Sequence, residues 1–186
     1  MFADASVSIV NAESRSPIVL VCESSEIYDI PDNRNLSQED RTHRVETVYR
    51  PFQAALRQVM SPRRQGVLVT IHSFTPVYHG RKHDVELGIL HDTDTRLADA
   101  MLAGASRHTQ LATRRNEPYA ARDGVTHTLA ENALPRGWPN VMLEIRNDLI
   151  DTQARQSDIA RQLRSLLVDA LDRMAFDPLP VSRTAP

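Results

Sequence analysis

Three apolar runs, each ending at an ionisable residue, constrain the fold of this chain more than any other feature. The runs are Ile18–Glu23, Val67–His72 and Val141–Arg146. Continuous apolar runs of this length are typical of buried strands in an α/β sheet. Ligands of open α/β sheets bind beyond the carboxyl ends of the strands. We therefore expect the chemistry of this chain near Glu23, His72 and Arg146.

Helical patterns separate the strands and predict the layers that cover the sheet. Ser37 with Asp40 three residues later resembles a helix N-cap, and the helix should run toward Met60 with a kink at Pro51. The second half predicts a strand over 85–90, a helix over 94–105, a weak strand near Leu111, a short helix over 126–134, and a final helix with an apolar stripe from Ile159 to Met174. This alternation predicts an α/β fold with a mostly parallel or mixed central sheet and helices on both faces.

The length of the chain predicts its domain organisation. A chain of 186 residues is long enough for one domain with a substantial core and gives no reason to propose two. We expect a polar lead-in over residues 1–16, a single domain over 17–176 and a tail over 177–186.

Composition argues against several classes of protein. The net charge of −2 offers no attraction to nucleic acid or to an anionic membrane. No glycine-rich turn follows a strand, which argues against a nucleotide-binding module. The start of the chain lacks the pattern of a leader, and no stretch is apolar enough to span a bilayer, so a cytoplasmic protein is expected. Since Cys22 is the only cysteine, a metal would be held by histidine and carboxylate.

His72 and Glu144 are the strongest candidates for chemistry. A neutral imidazole at the end of a strand suits zinc, although a histidine there also commonly bonds a neighbouring carbonyl. Glu144 interrupts an apolar run, on the same side of its strand as Met142 and Arg146. An unpaired buried carboxylate is costly, so Glu144 is either the partner of Arg146 in a structural ion pair or a general base.

Five short strings, taken together and in order, resemble the N-formylglutamate amidohydrolase family. They are Asp32-Asn33-Arg34-Asn35-Leu36, Tyr49-Arg50-Pro51-Phe52, Ile71-His72-Ser73-Phe74-Thr75-Pro76, Asn116-Glu117-Pro118-Tyr119 and Leu143-Glu144-Ile145-Arg146-Asn147-Asp148-Leu149-Ile150. The resemblance covers the chain from about Val19 to Leu171. It implies a zinc-dependent hydrolase with a fold like the zinc carboxypeptidases and aspartoacylases, which cleaves the amide of an N-acylated amino acid such as N-formylglutamate.

The resemblance also implies roles for individual residues. His72 and Glu23 correspond to zinc ligands, and Glu144 to the carboxylate that activates the metal-bound water. The remaining implied contacts are with the substrate. Arg34 and Arg146 would bind its carboxylate, and Asn33, Tyr119 and Asn132 would add hydrogen bonds.

One departure from the family pattern leaves two hypotheses open. Relatives have a histidine directly after Cys-Glu, whereas Glu23 is followed here by Ser24 and Ser25. Under the first hypothesis, a segment that carries the further ligands is missing between Glu23 and Ser24; under the second, the chain is a shortened relative. The other histidines are expected to be solvated surface residues: His43, His79, His83, His91 and His127. The chain is then either a metal-dependent amidohydrolase or a shortened relative that binds an acyl amino acid or a similar small carboxylate without cleaving it.

Overall fold

The computed structural model describes residues 34–78 and 80–176, and the backbone of two short strands before them. The chain divides into two compact units, one of residues 67–176 and one of residues 1–66 and 177–186. The predicted strand at Ile18–Glu23, the lead-in and the tail lie outside the described residues. The single domain expected over residues 17–176 stays a prediction.

The first unit contains a short hairpin and a helical segment. Strands β1 (Ser24–Ser25) and β2 (Tyr28–Asp29) pair antiparallel, and the helical segment consists of α1 (Gln38–Arg44), a π-helical turn (Val45–Tyr49) and α2 (Arg50–Met60). Ser37 caps α1 as predicted. Its hydroxyl accepts a hydrogen bond from the Asp40 amide at 3.0 Å, and its own amide donates to the Asp40 carboxylate at 3.2 Å. This reciprocal pair is a capping box.

The π-helical turn ends two residues before Pro51, the proline at which a kink was predicted. In this turn the Arg50 amide donates to the carbonyl of Val45, five residues earlier. Pro51 has no amide hydrogen, and in a regular helix its ring crowds the carbonyl of Thr47. A wider turn at this point accommodates both effects, so the predicted single helix is two α-helices joined by a π-helical turn.

The second unit is built on a four-stranded sheet. Its strands are β3 (Leu68–Phe74), β6 (Leu87–Leu90), β7 (Thr113–Arg115) and β8 (Asn140–Arg146), in the order β3-β8-β6-β7, and β4 (Val77–Tyr78) pairs separately with β5 (Arg81–Lys82). Its helices are α3 (Arg96–His108), α4 (His127–Asn132) and α5 (Gln153–Arg173), with 3-10 turns at Ala121–Asp123, Leu134–Arg136 and Asn147–Leu149.

The sheet is mixed, which confirms one of the two predicted forms. β3 runs parallel to β8, and β6 runs parallel to β7, but β6 is antiparallel to β8. β3 also extends to Phe74, so His72 lies within the strand and not at its end, where the apolar run had placed it. Because β6 is antiparallel to β8, its carboxyl end lies at the opposite edge of the sheet from the carboxyl ends of β3 and β8.

The two faces of the sheet carry different layers. One, the Leu143 face, packs its buried aliphatic side chains on α3 and α5: Leu87, Ile89, Val141, Leu143 and Ile145 from the strands, and Leu97, Met101, Ile159, Leu163, Leu166 and Ala170 from the helices. The other, the His72 face, carries the side chains that alternate with these. There Leu90 and Met142 pack with Leu129 of α4. Helices thus cover both faces, as predicted.

The packing of α3 on α5 depends on a glycine. A Cβ at Gly104 would lie 2.7 Å from Oδ2 of Asp169 and 3.3 Å from Cδ1 of Leu166. The same Asp169 carboxylate accepts from Arg107 at 2.7 Å, so it links the two helices.

None of the helices in the described part of the chain is long and apolar enough to cross a membrane, and the cytoplasmic location stays a prediction.

Candidate active site

His72 and Glu144 occupy paired positions on β3 and β8. Residues paired in register on adjacent parallel strands project to the same face of the sheet. The structure therefore brings these two predicted site residues together, although they come from opposite halves of the sequence.

The two side chains of this pair differ in their burial. Glu144 is 3% exposed, and His72 is half-buried in its strand. Burial lowers the pKa of the His72 imidazole below its usual value of 6.5, because the charged form loses its hydration. His72 is therefore neutral at neutral pH, which is the state that binds a metal ion or accepts a proton.

The neighbour of Glu144 on its other side is a glycine, which the sequence analysis did not identify. Gly88 of β6 pairs directly with Glu144. A Cβ at Gly88 would lie only 2.0 Å from the carbonyl oxygen of Glu117, so only glycine fits there. The loop Asn116–Tyr119 consequently lies against the His72 face beside Glu144 and forms one side of the candidate site.

A second element covers the same face. Tyr119 packs against the buried cluster of Leu90, Leu129 and Met142, so the end of the Asn116–Tyr119 loop contacts the layer formed by α4. Asn132 of α4 is 3% exposed and donates to the carbonyl of Thr128 at 3.0 Å. Tyr119 and Asn132 thus belong to the elements on the His72 face, and their contacts with a substrate stay predictions.

Arg146 lies on the same face and is engaged by two carboxylates. Its Nε donates to Asp148 at 2.7 Å and one terminal nitrogen donates to Glu86 at 3.2 Å. The hydrogen bond to Asp148, followed by the charges of Asp148 and Glu86, raises the pKa of Arg146. The ion pair considered for Arg146 and Glu144 is therefore replaced by pairs with Asp148 and Glu86. Asp148 stands in one of the quoted family strings, but no pattern in the sequence marked either carboxylate as a partner.

His91 differs most from its expected environment. The prediction of a solvated surface histidine is wrong for this residue, which is 9% exposed and hydrogen-bonded through both ring nitrogens. The prediction is confirmed for His43, which is exposed on α1. His83 is only partly exposed because it packs against Phe74 and stacks on Tyr78.

The other three predicted site residues precede residues 67–176, the unit that carries this face. Glu23 and Asn33 lie outside the described residues. Arg34 lies in an exposed turn of the first unit, and its role stays a prediction.

Histidine and carboxylate side chains are the donors that a zinc site in this chain would use. Within residues 34–78 and 80–176, the histidine and carboxylate side chains form no group of three that could hold a metal ion. A catalytic zinc normally has three protein ligands. Of the two predicted ligands, His72 lies on the described sheet and Glu23 lies outside the described residues, so the described part of the chain does not supply a complete zinc site.

Known proteins resemble this chain at the level of family and of structure. The model of the N-formylglutamate amidohydrolase family, FGase, matches residues 4–151. The crystal structure of gene product Atu2144 from Agrobacterium tumefaciens has 51% identity and a TM-score of 0.80, over 86% of this chain and 64% of that chain. N-formylglutamate amidohydrolase from Ralstonia eutropha JMP134 has 18% identity and a TM-score of 0.48, over 82% of this chain and 59% of that one. No curated protein matches. The chain spans less than two thirds of either protein.

Proposed function

We propose that this chain, which belongs to the N-formylglutamate amidohydrolase family, hydrolyses the amide bond of an N-acylated amino acid such as N-formylglutamate. The pairing of His72 with Glu144 on one buried face is the observation that carries this proposal. The resemblance drawn from short sequence strings is confirmed by the family match over residues 4–151.

Glu144 is the proposed general base. Its carboxylate takes a proton from the attacking water, whose oxygen bonds to the carbonyl carbon of the substrate. When the C–N bond breaks, the same group returns the proton to the leaving amine, which gives formate and a free amino acid from an N-formyl substrate. Proton transfer of this kind typically contributes about 10²- to 10⁴-fold to the rate.

Zinc is part of the proposal as the metal held by His72 and Glu23. When bound, it would polarise the amide carbonyl and lower the pKa of water. The neutral state of His72 is consistent with such a role. Because the described residues do not complete the site, the metal content of the purified protein is the first measurement to make.

Arginine is the proposed partner for the substrate carboxylate, since its planar guanidinium binds a carboxylate through two parallel hydrogen bonds. The candidates are Arg34 and Arg146, with Asn33, Tyr119 and Asn132 as further hydrogen-bonding groups. A carboxylate that approaches Arg146 competes with Glu86 and Asp148, which already accept from its guanidinium. We therefore expect Arg34→Ala to raise KM for N-formylglutamate more than Arg146→Lys does.

The test combines metal analysis with product release. The purified protein is assayed for bound metal by plasma mass spectrometry and for formate released from N-formylglutamate. We expect stoichiometric zinc and turnover, with His72→Ala losing both zinc and activity and with Glu144→Gln keeping zinc but losing activity. His43→Ala is the matched control, because His43 is exposed on α1.

The second candidate is binding without hydrolysis. It is favoured by Ser24 and Ser25, which follow Glu23 where relatives carry a histidine. A metal-free protein that binds N-formylglutamate without releasing formate would establish this alternative. Isothermal titration calorimetry with intact N-formylglutamate distinguishes this alternative from a protein that neither binds nor hydrolyses the compound.

A further inference from the structure

We propose that His91 is a positioning residue that holds the Asn116–Tyr119 loop in place beside Glu144. The proposal has a structural part, which concerns the loop, and a catalytic part, which rests on the proposed function. His91 follows β6 directly, and it contacts the loop through both its backbone and its ring.

The hydrogen bonds of His91 define its tautomer. Nδ1 lies 2.7 Å from the carbonyl oxygen of Asp92, and since a carbonyl only accepts, Nδ1 carries the proton. Nε2 is then an acceptor and receives a hydrogen bond from Arg115 at 3.1 Å. Another nitrogen of Arg115 donates to Asp99 of α3 at 2.5 Å. The ring of His91 therefore connects the end of β6 to α3 through Arg115.

Asn116 is held by the same histidine. Its Oδ1 accepts from the His91 amide at 2.9 Å, and its Nδ2 lies 3.4 Å from Nε2 of the ring. Its own amide donates to the carbonyl of Ile89 at 3.1 Å. Asn116 has a φ of 50°, in the left-handed region that asparagine adopts more readily than most residues. Asparagine thus fits this position through both its backbone and its side chain.

The next residue carries the effect to the candidate site. The carbonyl of Glu117 covers Gly88, which is paired with Glu144. A shift of Asn116 moves this carbonyl and changes the wall of the site on that side. A misplacement of about 1 Å can cost about 100-fold in rate, which is why the position of this loop matters for the proposed catalysis.

The residue after His91 fixes the second element on this face. Asp92 accepts a hydrogen bond from the Thr126 hydroxyl at 2.8 Å, and Thr126 is 2% exposed. Thr126 directly precedes α4, which packs on the His72 face. His91 and Asp92, which follow β6, thus hold the Asn116–Tyr119 loop and α4 in place on the His72 face.

Two substitutions of His91 separate its two ring contacts. In His91→Gln the side-chain amide reaches the position of Nε2 and keeps an acceptor for Arg115. In His91→Asn the shorter amide reaches only the position of Nδ1 and loses that acceptor. Hydrogen exchange followed by mass spectrometry measures the consequence for residues 115–120, with the buried strand β8 as the internal reference.

The structural part predicts a local change. We expect His91→Asn to increase exchange in residues 115–120 with exchange in β8 unchanged, and His91→Gln to resemble the wild type. Asn116→Gly keeps the left-handed backbone but removes the side-chain contacts, so it should behave like His91→Asn. Unchanged exchange in His91→Asn, or an equal increase in β8, would overturn the proposal.

The catalytic part is tested with the same proteins. We expect kcat/KM for N-formylglutamate to fall about tenfold or more in His91→Asn and to stay within about threefold in His91→Gln. An active wild type with an equally active His91→Asn would overturn the catalytic part. If the wild type releases no formate, the proposed function fails, and the exchange experiment still decides the structural part.

Discussion

Glu144 lies between His72 and Gly88 in one row across the sheet, paired with His72 on the parallel strand β3 and with Gly88 on the antiparallel strand β6. On one side of the Glu144 side chain is the His72 imidazole, which burial keeps neutral. On the other side is the backbone carbonyl of Glu117, which lies close because Gly88 has no side chain.

Glu144→Gln removes the proposed base and preserves the shape of the side chain. We expect formate release to fall by about 10²- to 10⁴-fold while the protein remains folded. The assay is formate production from N-formylglutamate, with circular dichroism as the check on folding. Glu131→Gln is the matched control, since Glu131 is exposed on α4. A Glu144→Gln variant with wild-type turnover would exclude Glu144 as the base.

Gly88→Ala places a methyl group where the carbonyl of Glu117 now lies. Because the backbone of the loop must move, we expect a loss of about 1–3 kcal/mol in the free energy of unfolding together with a loss of activity. Urea denaturation and formate release measure the two effects. Gly137→Ala is the control: it has a φ of 63° and no neighbour within 4 Å, so it should cost stability through its backbone alone. Equal activity in both variants would contradict the prediction.

Asp169→Asn tests the link between α3 and α5. Hydrogen bonds from Arg107 and Arg173 hold the pKa of Asp169 well below its usual value. A carboxylate with a lowered folded-state pKa stabilises the fold fully above its unfolded pKa of about 3.9 and loses this contribution as the pH falls further. We therefore expect a lower Tm than wild type at pH 7 and a difference that shrinks below about pH 4.

The control for Asp169 is on the same helix. Asp158 pairs with Arg161 at a position where the side chains are 57% and 77% exposed. Exposed pairs contribute little to stability, so Asp158→Asn should leave Tm nearly unchanged at both pH values. A Tm difference for Asp169→Asn that is the same at pH 7 and pH 3 would refute the assigned role.

Leu166→Ala tests the main core on the Leu143 face. Leu166 of α5 is fully buried in the core cluster formed by the sheet, α3 and α5. Truncation should cost about 2–5 kcal/mol in the free energy of unfolding, because it removes apolar contact and leaves a cavity. Its neighbour Leu167 is only partly buried, so Leu167→Ala should cost clearly less in the same urea denaturation series. Equal losses would contradict the packing described here.

The sequence by itself determined the strands of the four-stranded sheet, the α-helices of the second unit and the identity of the central pair, but not the hairpin of β4 and β5. Apolar runs located β3 and β8, and a stripe at helical spacing located α5, because burial of one face is recorded locally in the order of residues. The same local pattern placed Glu144 in a buried strand. The capping box at Ser37 and Asp40 was predictable for the same reason, since it joins residues only three positions apart.

Only the tertiary structure decided the relations between distant segments. The antiparallel direction of β6, the carboxylates that bind Arg146, the burial of His91 and the carbonyl over Gly88 all depend on which segments pair and in what register. A glycine or a histidine has the same letter whether it is buried or solvated. Its role is set by groups far away in the sequence, and folding alone brings those groups into contact.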